Sequence, residues 1–325
     1  MTRVPLVLLA HVKKHGIVRK LLGRGLCSHG AHPPRFEVGT IARVKILSIQ
    51  SKVAYGHAGN SSAVFPLQRL GHEVWPVDTV HFSNHTGYGE WRGQVFEPQV
   101  VADVITGIEE RGVFAECDAV LSGYMGADAI SEVILDAVAR VKAANPKAIY
   151  CADPVMGDVG RGFFVQPGIP EMMRDKIASE ADILTPNQFE LDYLTGSEVS
   201  TVRDLLDAAN QLRAKGPSTV LVTSVQTDET PADSVQMAAV TDDGAWIVTT
   251  PLLPIYVTGG GDATAAIFLA HYLTDGPQVA LARTASAMFG VVQATQDSGH
   301  RELQLVRGQD AIAGNSGHFD ISALD

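Results

Sequence analysis

The chain has 325 residues, enough for one large α/β domain or two ordinary ones, and its 46% hydrophobic and 19% charged content supports a sizeable core and excludes wholesale disorder. A net charge of −11 and a pI near 5.4 argue against a nucleic-acid partner, which needs basic surface. They leave a polyanionic substrate open, because backbone dipoles and a metal ion hold phosphates on an acidic protein. Three cysteines, Cys27, Cys117 and Cys151, have no CxxC spacing and read as buried or incidental thiols of a reducing compartment. No run of about 18 apolar residues occurs, so no membrane span is expected.

Residues 1–45 carry nine Lys and Arg and one acid, Glu37, a net +8 that leaves −19 for the remainder. With the Pro33-Pro34 break, residues 1–43 are expected to be a basic, unstructured extension or the product of a start codon placed too far upstream. An organelle-targeting segment is the other reading, although no amphipathic run supports it. Ordered structure is expected from residue 44, as one domain over 44–325. Residues 44–49 and 75–80 read as strands, and 119–121, 148–150, 181–184 and 219–222 are short apolar runs of the kind buried on both faces of a parallel sheet. Ile130, Val133, Ile134, Ala137, Val138 and Val141 share one helical face that stops near Asn145-Pro146. Residues 237–240 and 245–249 form a hairpin around Asp242-Asp243-Gly244, and two helices follow at about 262–273 and 278–293. The pattern is α/β: a mostly parallel central sheet with helices on both faces, whose ligands bind at the carboxyl ends of the strands.

Three such ends carry chemistry. Gly259-Gly260-Gly261-Asp262 lies just before a helix, where free N–H groups and the positive end of the dipole form an anion hole for a transferring phosphoryl group. Asp262 at its mouth fits a general base, although the same residues also make an ordinary capped loop. Asp153 and Asp158 follow one strand, and Thr185, Asn187 and Glu190 follow the next. Asp153 and Glu190 are candidate Mg²⁺ carboxylates, since Mg²⁺ needs only one or two alongside ATP phosphates and water. Alternatively, Asn187 and Glu190 are a helix-capping pair.

Ser48-Ile49-Gln50-Ser51, Tyr55-Gly56-His57-Ala58-Gly59-Asn60, Phe82-Ser83-Asn84-His85-Thr86-Gly87-Tyr88, Leu121-Ser122-Gly123-Tyr124, Asp153-Pro154-Val155-Met156-Gly157-Asp158 and Thr185-Pro186-Asn187-Gln188-Phe189-Glu190 occur in family order. Together they closely resemble the pyridoxal kinase family of the ribokinase-like superfamily, over about residues 44–307. The resemblance implies a single ribokinase-like domain without a separate lid. It also implies ATP-dependent phosphorylation of the 5′-hydroxymethyl group of pyridoxal-type vitamers, in vitamin B6 salvage. By position, it implies that Ser51, Thr86, Tyr124 and Asp262 meet the vitamer, with His85 bracing the loop or touching the ligand. Asp262 matches the catalytic base and Gly259, Gly260 and Gly261 the anion hole. Asp153, Thr185, Glu190, Thr223, Ser224, Thr250, Pro251 and Leu252 face ATP, with Mg²⁺ on Asp153 and, through water, Glu190. Asp158 and Asn187 stand behind them. A monovalent cation such as K⁺, a homodimer and a cytoplasmic setting are implied in the same way.

Two departures stand out. Gly260 occupies a position where the family usually has Thr or Val, and Thr223 stands where some bacterial members have Lys. Loops near 85–92 and 224–234 are expected to cover the site. The alternatives are a hydroxymethylpyrimidine kinase, or a non-catalytic binder of B6 vitamers or nucleotide. The binder should lack Asp262 or the glycine turn, and both are present.

Overall fold

The computed structural model describes residues 44–314 and 319–324; the expected basic extension, residues 1–43, lies outside them. The strands are β1 (Lys45–Val53), β2 (Glu73–Phe82), β3 (Gly93–Val95), β4 (Ala119–Ser122), β5 (Ile149–Ala152), β6 (Gly157–Asp158), β7 (Gly162–Phe163), β8 (Ile183–Leu184), β9 (Thr219–Val225), β10 (Ser234–Val240), β11 (Ala245–Pro251) and β12 (Ile321–Leu324). The helices are α1 (Asn60–Arg69), α2 (Pro98–Glu109), α3 (Ile130–Ala144), α4 (Ile169–Met172) and α5 (Ala178–Glu180), then α6 (Gln188–Thr195), α7 (Val202–Arg213), α8 (Gly260–Asp275), α9 (Pro277–Ser298) and α10 (Gln309–Ile312). One ten-stranded sheet runs β12-β11-β10-β9-β8-β5-β4-β1-β2-β3, with β6 and β7 forming a separate small ribbon. Strands β9, β8, β5, β4, β1 and β2 are parallel. β10, β11 and β12 close one edge in antiparallel fashion, and β3 closes the other.

The sheet is buried on both faces, which is why its centre reads as apolar runs rather than alternation. In β1 successive side chains point to opposite faces. Leu47 and Ile49 join the core packed by α2, α3, α6 and α7, while Ile46 joins the core packed by α1, α8 and α9. α3 and the β10–β11 hairpin occupy the segments their spacing predicts. α7 begins at a capping box in which Thr201 and Asp204 satisfy each other's backbone N–H groups. β1 runs past its apolar stretch to Val53, so Ser51 is still on a strand and buried.

The connectivity places the site. From β1 the chain moves outward to β2, then returns to β4 on the other side, and ligands gather at such a reversal. Ser51, Tyr124, Asp153, Thr185 and Thr223 all lie at or just beyond the carboxyl ends of β1, β4, β5, β8 and β9. They therefore form a row across the sheet in the order of the strands.

Candidate functional site

A cleft of about 400 Å³ runs along that row. Every expected site residue lines it: Ser51, Thr86 and Tyr124 toward β1 and β2; Asp153, Asp158, Thr185, Asn187 and Glu190 centrally; Thr223, Ser224, Thr250, Pro251 and Leu252 toward β9 and β11; and Gly259 to Asp262 along the floor. At the β1 end Val53, Phe82, Ala58 and Tyr124 pack together, giving an apolar slot with the Ser51 and Thr86 hydroxyls at its margin. That combination suits a flat heteroaromatic ring with polar substituents. At the other end, Ser224 has φ 53°, the single non-glycine residue in the left-handed region among those described. This strained conformation sits where the β9–β10 register shifts and is the kind of outlier that sites retain.

The glycine turn is held by its neighbours. Gly259 has φ +83°, and a Cβ there would stand 1.9 Å from the His57 carbonyl oxygen. Its own carbonyl accepts a 2.7 Å hydrogen bond from Ser62 Oγ on α1. No side chain fits that position. Gly260 differs: its φ is ordinary, and a Cβ would only touch Val257 Cγ2 at 3.5 Å. A Cβ therefore has room there, and the middle glycine is a local preference rather than a requirement. The turn opens directly into α8, with Asp262 in its first turn.

Asp153 is buried. Its Oδ1 accepts a 2.9 Å hydrogen bond from Thr185 Oγ1, but Oδ2 has no partner and faces the turn, 3.8 Å from where a Gly261 Cβ would be. Burial, then the charge of Asp262, push its carboxyl above the usual range. Burial also raises Asp262, against the Gly59 amide and its own amide. Glu190 is raised by burial and then by Asp153. It is the capping partner of Asn187, accepting from Asn187 N at 2.9 Å while Asn187 Oδ1 accepts from Glu190 N. It also accepts from the Met156 and Gly157 amides at 2.9 and 3.4 Å. The capping and cleft-facing readings of Glu190 thus coexist: it fastens the Asp153–Asp158 loop to α6 while lining the cleft. Asn187 Nδ2 donates to Gly157 O at 2.8 Å in the same fastening. No group of three or more His, Cys, Asp or Glu among the described residues is arranged to hold a metal.

Three site features have no single-residue signal in the sequence. Glu302, near the end of the chain, is buried and accepts from Tyr88 Oη at 2.6 Å, His85 Nε2 at 3.1 Å and His57 N at 3.2 Å. Burial keeps His85 below its ordinary pKa. His85 thus ties its loop to Glu302 while also lining the cleft. Arg301 adds a 2.6 Å hydrogen bond to Gly87 O and lies 4.0 Å over the Tyr88 ring. The second feature is the β6–β7 ribbon, whose Arg161 reaches the cleft. The third is the segment before the glycine turn, Leu253 to Thr258, which supplies Ile255 and Tyr256. Of the two expected covering loops, 85–92 contributes His85, Thr86 and Gly87, but 224–234 contributes only Ser224. Thr227 and Thr230 instead bond to each other and to Gln236, which turns that loop back onto β10.

A family model described as phosphomethylpyrimidine kinase matches residues 93–302. A pyridoxal kinase PdxY of Leifsonia xyli is 56% identical over 282 residues, covering 86% of this chain and 100% of that protein. The pyridoxal kinase PdxY of Corynebacterium diphtheriae is 51% identical over 282 residues, with the same coverage. Among solved structures, the pyridoxal kinase from Leishmania donovani in complex with ADP and pyridoxamine superposes with a TM-score of 0.81 at 28% identity, covering 86% of this chain and 99% of that one.

Two outcomes follow from the geometry. Gly260→Ala should raise stability by about 0.4–1 kcal/mol in urea unfolding, whereas Gly259→Ala should abolish activity; the reverse order would refute the packing difference between them. Asp153 has a raised folded-state pKa, so its stabilising contribution is present below the ordinary value of 3.8 and lost as pH rises through the folded value. Asp153→Asn should therefore raise the melting temperature of the ligand-free protein at pH 8 and lose that advantage toward pH 4. A lower melting temperature at pH 8 would contradict the assignment.

Proposed function

This chain belongs to the pyridoxal kinase family, and from that premise we propose how its cleft divides the work. The enzyme is an ATP-dependent kinase that phosphorylates the 5′-hydroxymethyl group of pyridoxal, a reaction of vitamin B6 salvage. The vitamer ring lies in the slot formed by Val53, Phe82 and Tyr124, with Ser51 and Thr86 addressing its polar substituents. ATP lies along the β8-to-β11 end, against Thr185, Thr223, Ser224, Thr250, Pro251 and Leu252. The order of these residues across the sheet supports an end-to-end arrangement of the two substrates, with the phosphoryl group passing between them above the glycine turn.

Asp262 accepts the proton of the 5′-hydroxyl as that oxygen attacks the γ-phosphorus. The bond to the β–γ bridging oxygen breaks in line, and ADP leaves. Charge on the equatorial oxygens is met by the N–H groups of Gly259, Gly260 and Gly261 and by the N-terminal end of α8. A base that is half-buried and raised above the ordinary carboxylate range suits a hydroxyl proton better than a fully solvated one.

The residues also fit Mg²⁺. The Asp153 Oδ2 atom, buried and without a partner, is a hard oxygen donor beside the phosphate path, and Glu190 is placed to hold a coordinated water, with Asp158 and Asn187 behind. Bound there, Mg²⁺ would neutralise phosphate charge. The monovalent cation, the homodimer and the cytoplasmic setting have the family resemblance as their support. No helix among the described residues is long and apolar enough to cross a membrane.

The single observation that carries this reading is the placement of Asp262 in the first turn of α8, on the cleft that Asp153 also lines. Asp262→Ala should lower kcat by about two to four orders of magnitude while leaving ATP affinity in place. In the wild type, kcat should fall toward acid as the base protonates, with an apparent pKa above the ordinary Asp value of about 3.9, and the variant should lose that acid limb. Steady-state assays with Mg-ATP on pyridoxal, pyridoxine, pyridoxamine and hydroxymethylpyrimidine test both parts. Wild-type turnover in the alanine variant would remove Asp262 as the base, and preference for the pyrimidine would overturn the substrate.

A further inference from the structure

The cleft is lined by four acids, Asp153, Asp158, Glu190 and Asp262, and among the described residues Arg161 is the only Lys or Arg that reaches it. Arg161 sits in the tight turn of the β6–β7 ribbon, where its amide bonds to Asp158 O at 3.1 Å. The side chain is exposed rather than part of the core. Its guanidinium donates to Tyr256 Oη and lies 5.0 Å from the Tyr256 ring and 5.5 Å from the Phe164 ring. A Cβ built on Gly87 would be 3.7 Å from Arg161 Nη2. The charge is thus held where three segments meet: the ribbon after Asp153, the loop carrying Thr86, and the strand end that leads into the glycine turn.

We propose that Arg161 is a phosphoryl clamp supplied by the ribbon, engaging the γ-phosphate of ATP in the substrate complex and the 5′-phosphate in the product. This rests on the acceptor and nucleotide placement given above. A planar guanidinium matches two phosphate oxygens at once. The Tyr256 hydroxyl and the two aromatic rings place it beside the cleft, where cation–π contact favours the charge. The amides of the glycine turn approach the transferring group from the floor of the cleft, and Arg161 approaches from the cover. The group therefore finds donors on two sides, although the cleft's other charged side chains are acidic.

The test uses the full chain with Mg-ATP and the variants Arg161→Met and Arg161→Lys. Arg161→Met should lower kcat by about 10²- to 10³-fold, the cost of one preorganised donor to transition-state charge. The KM for pyridoxal should stay within about threefold, the signature of an interaction made mainly in the transition state. Inhibition by pyridoxal 5′-phosphate should weaken by about tenfold or more, which is one lost charged contact. Arg161→Lys should restore part of each loss, because the charge returns without the fork. ADP lacks the γ-phosphate, so the rise in melting temperature that it produces should be the same in wild type and Arg161→Met. A kcat within about threefold of wild type would overturn the proposal. Loss of the ADP-induced rise would also overturn it, by making Arg161 an anchor for the nucleotide. Wild-type turnover of pyridoxal, measured alongside, reports separately on the function itself.

Discussion

Asp153 and Asp262 line one cleft beside a glycine turn, near enough for the charge of Asp262 to raise Asp153, and among the described residues no buried Lys or Arg reaches that cleft. Like charges in one site disfavour each other's ionisation. Burial adds to the penalty by withholding water from the charged forms. The fold tolerates this because one oxygen of Asp153 is satisfied by Thr185 and the loop behind it is fastened by Glu190 to three backbone amides. On the proposed function, a metal–nucleotide complex would relieve the remaining imbalance.

The sheet makes that arrangement readable from one end to the other. Parallel strands deliver their carboxyl ends to one edge, so residues far apart in the chain line up by strand order. Hydroxyls and an aromatic wall come first, then carboxylates, then the small polar residues of β9 and β11. The antiparallel addition of β10 and β11 prolongs the edge beyond the last parallel strand, and Thr250 to Leu252 extend the cleft there.

Much of this was legible in the residues. Apolar runs give buried parallel strands, the 130–141 spacing gives α3, the strand-end motifs give the glycine turn and the carboxylates, and the family resemblance gives the rest of the expected lining. The limits have physical causes. β8 is only two residues long, too short for periodicity to bound it, and β12 sits at the sheet edge far from its partner in sequence. The strand read over residues 44–49 stops short of Ser51, yet pairing with β2 keeps the backbone extended through Val53. Glu190 is the capping partner of Asn187 and also lines the cleft, a double placement that spacing alone could not show. Arg161 carries no local pattern, and the family-like stretch around Glu302 does not say what its carboxylate meets. Their roles depend on contacts with Tyr256 and with His57, His85 and Tyr88, and such contacts exist only once the sheet has brought distant segments together.

The Glu302 clasp has a consequence for the order of events in the cell. A nascent chain leaves the ribosome from its N-terminus, so the segments bearing His57, His85 and Tyr88 emerge more than two hundred residues before the carboxylate that joins them. The glycine turn and α8 also come late. A partly made chain can pair β1, β2, β4 and β5 while its acceptor loops still have no buried acceptor to close upon. The acceptor loops thus close only on a carboxylate that follows them by more than two hundred residues.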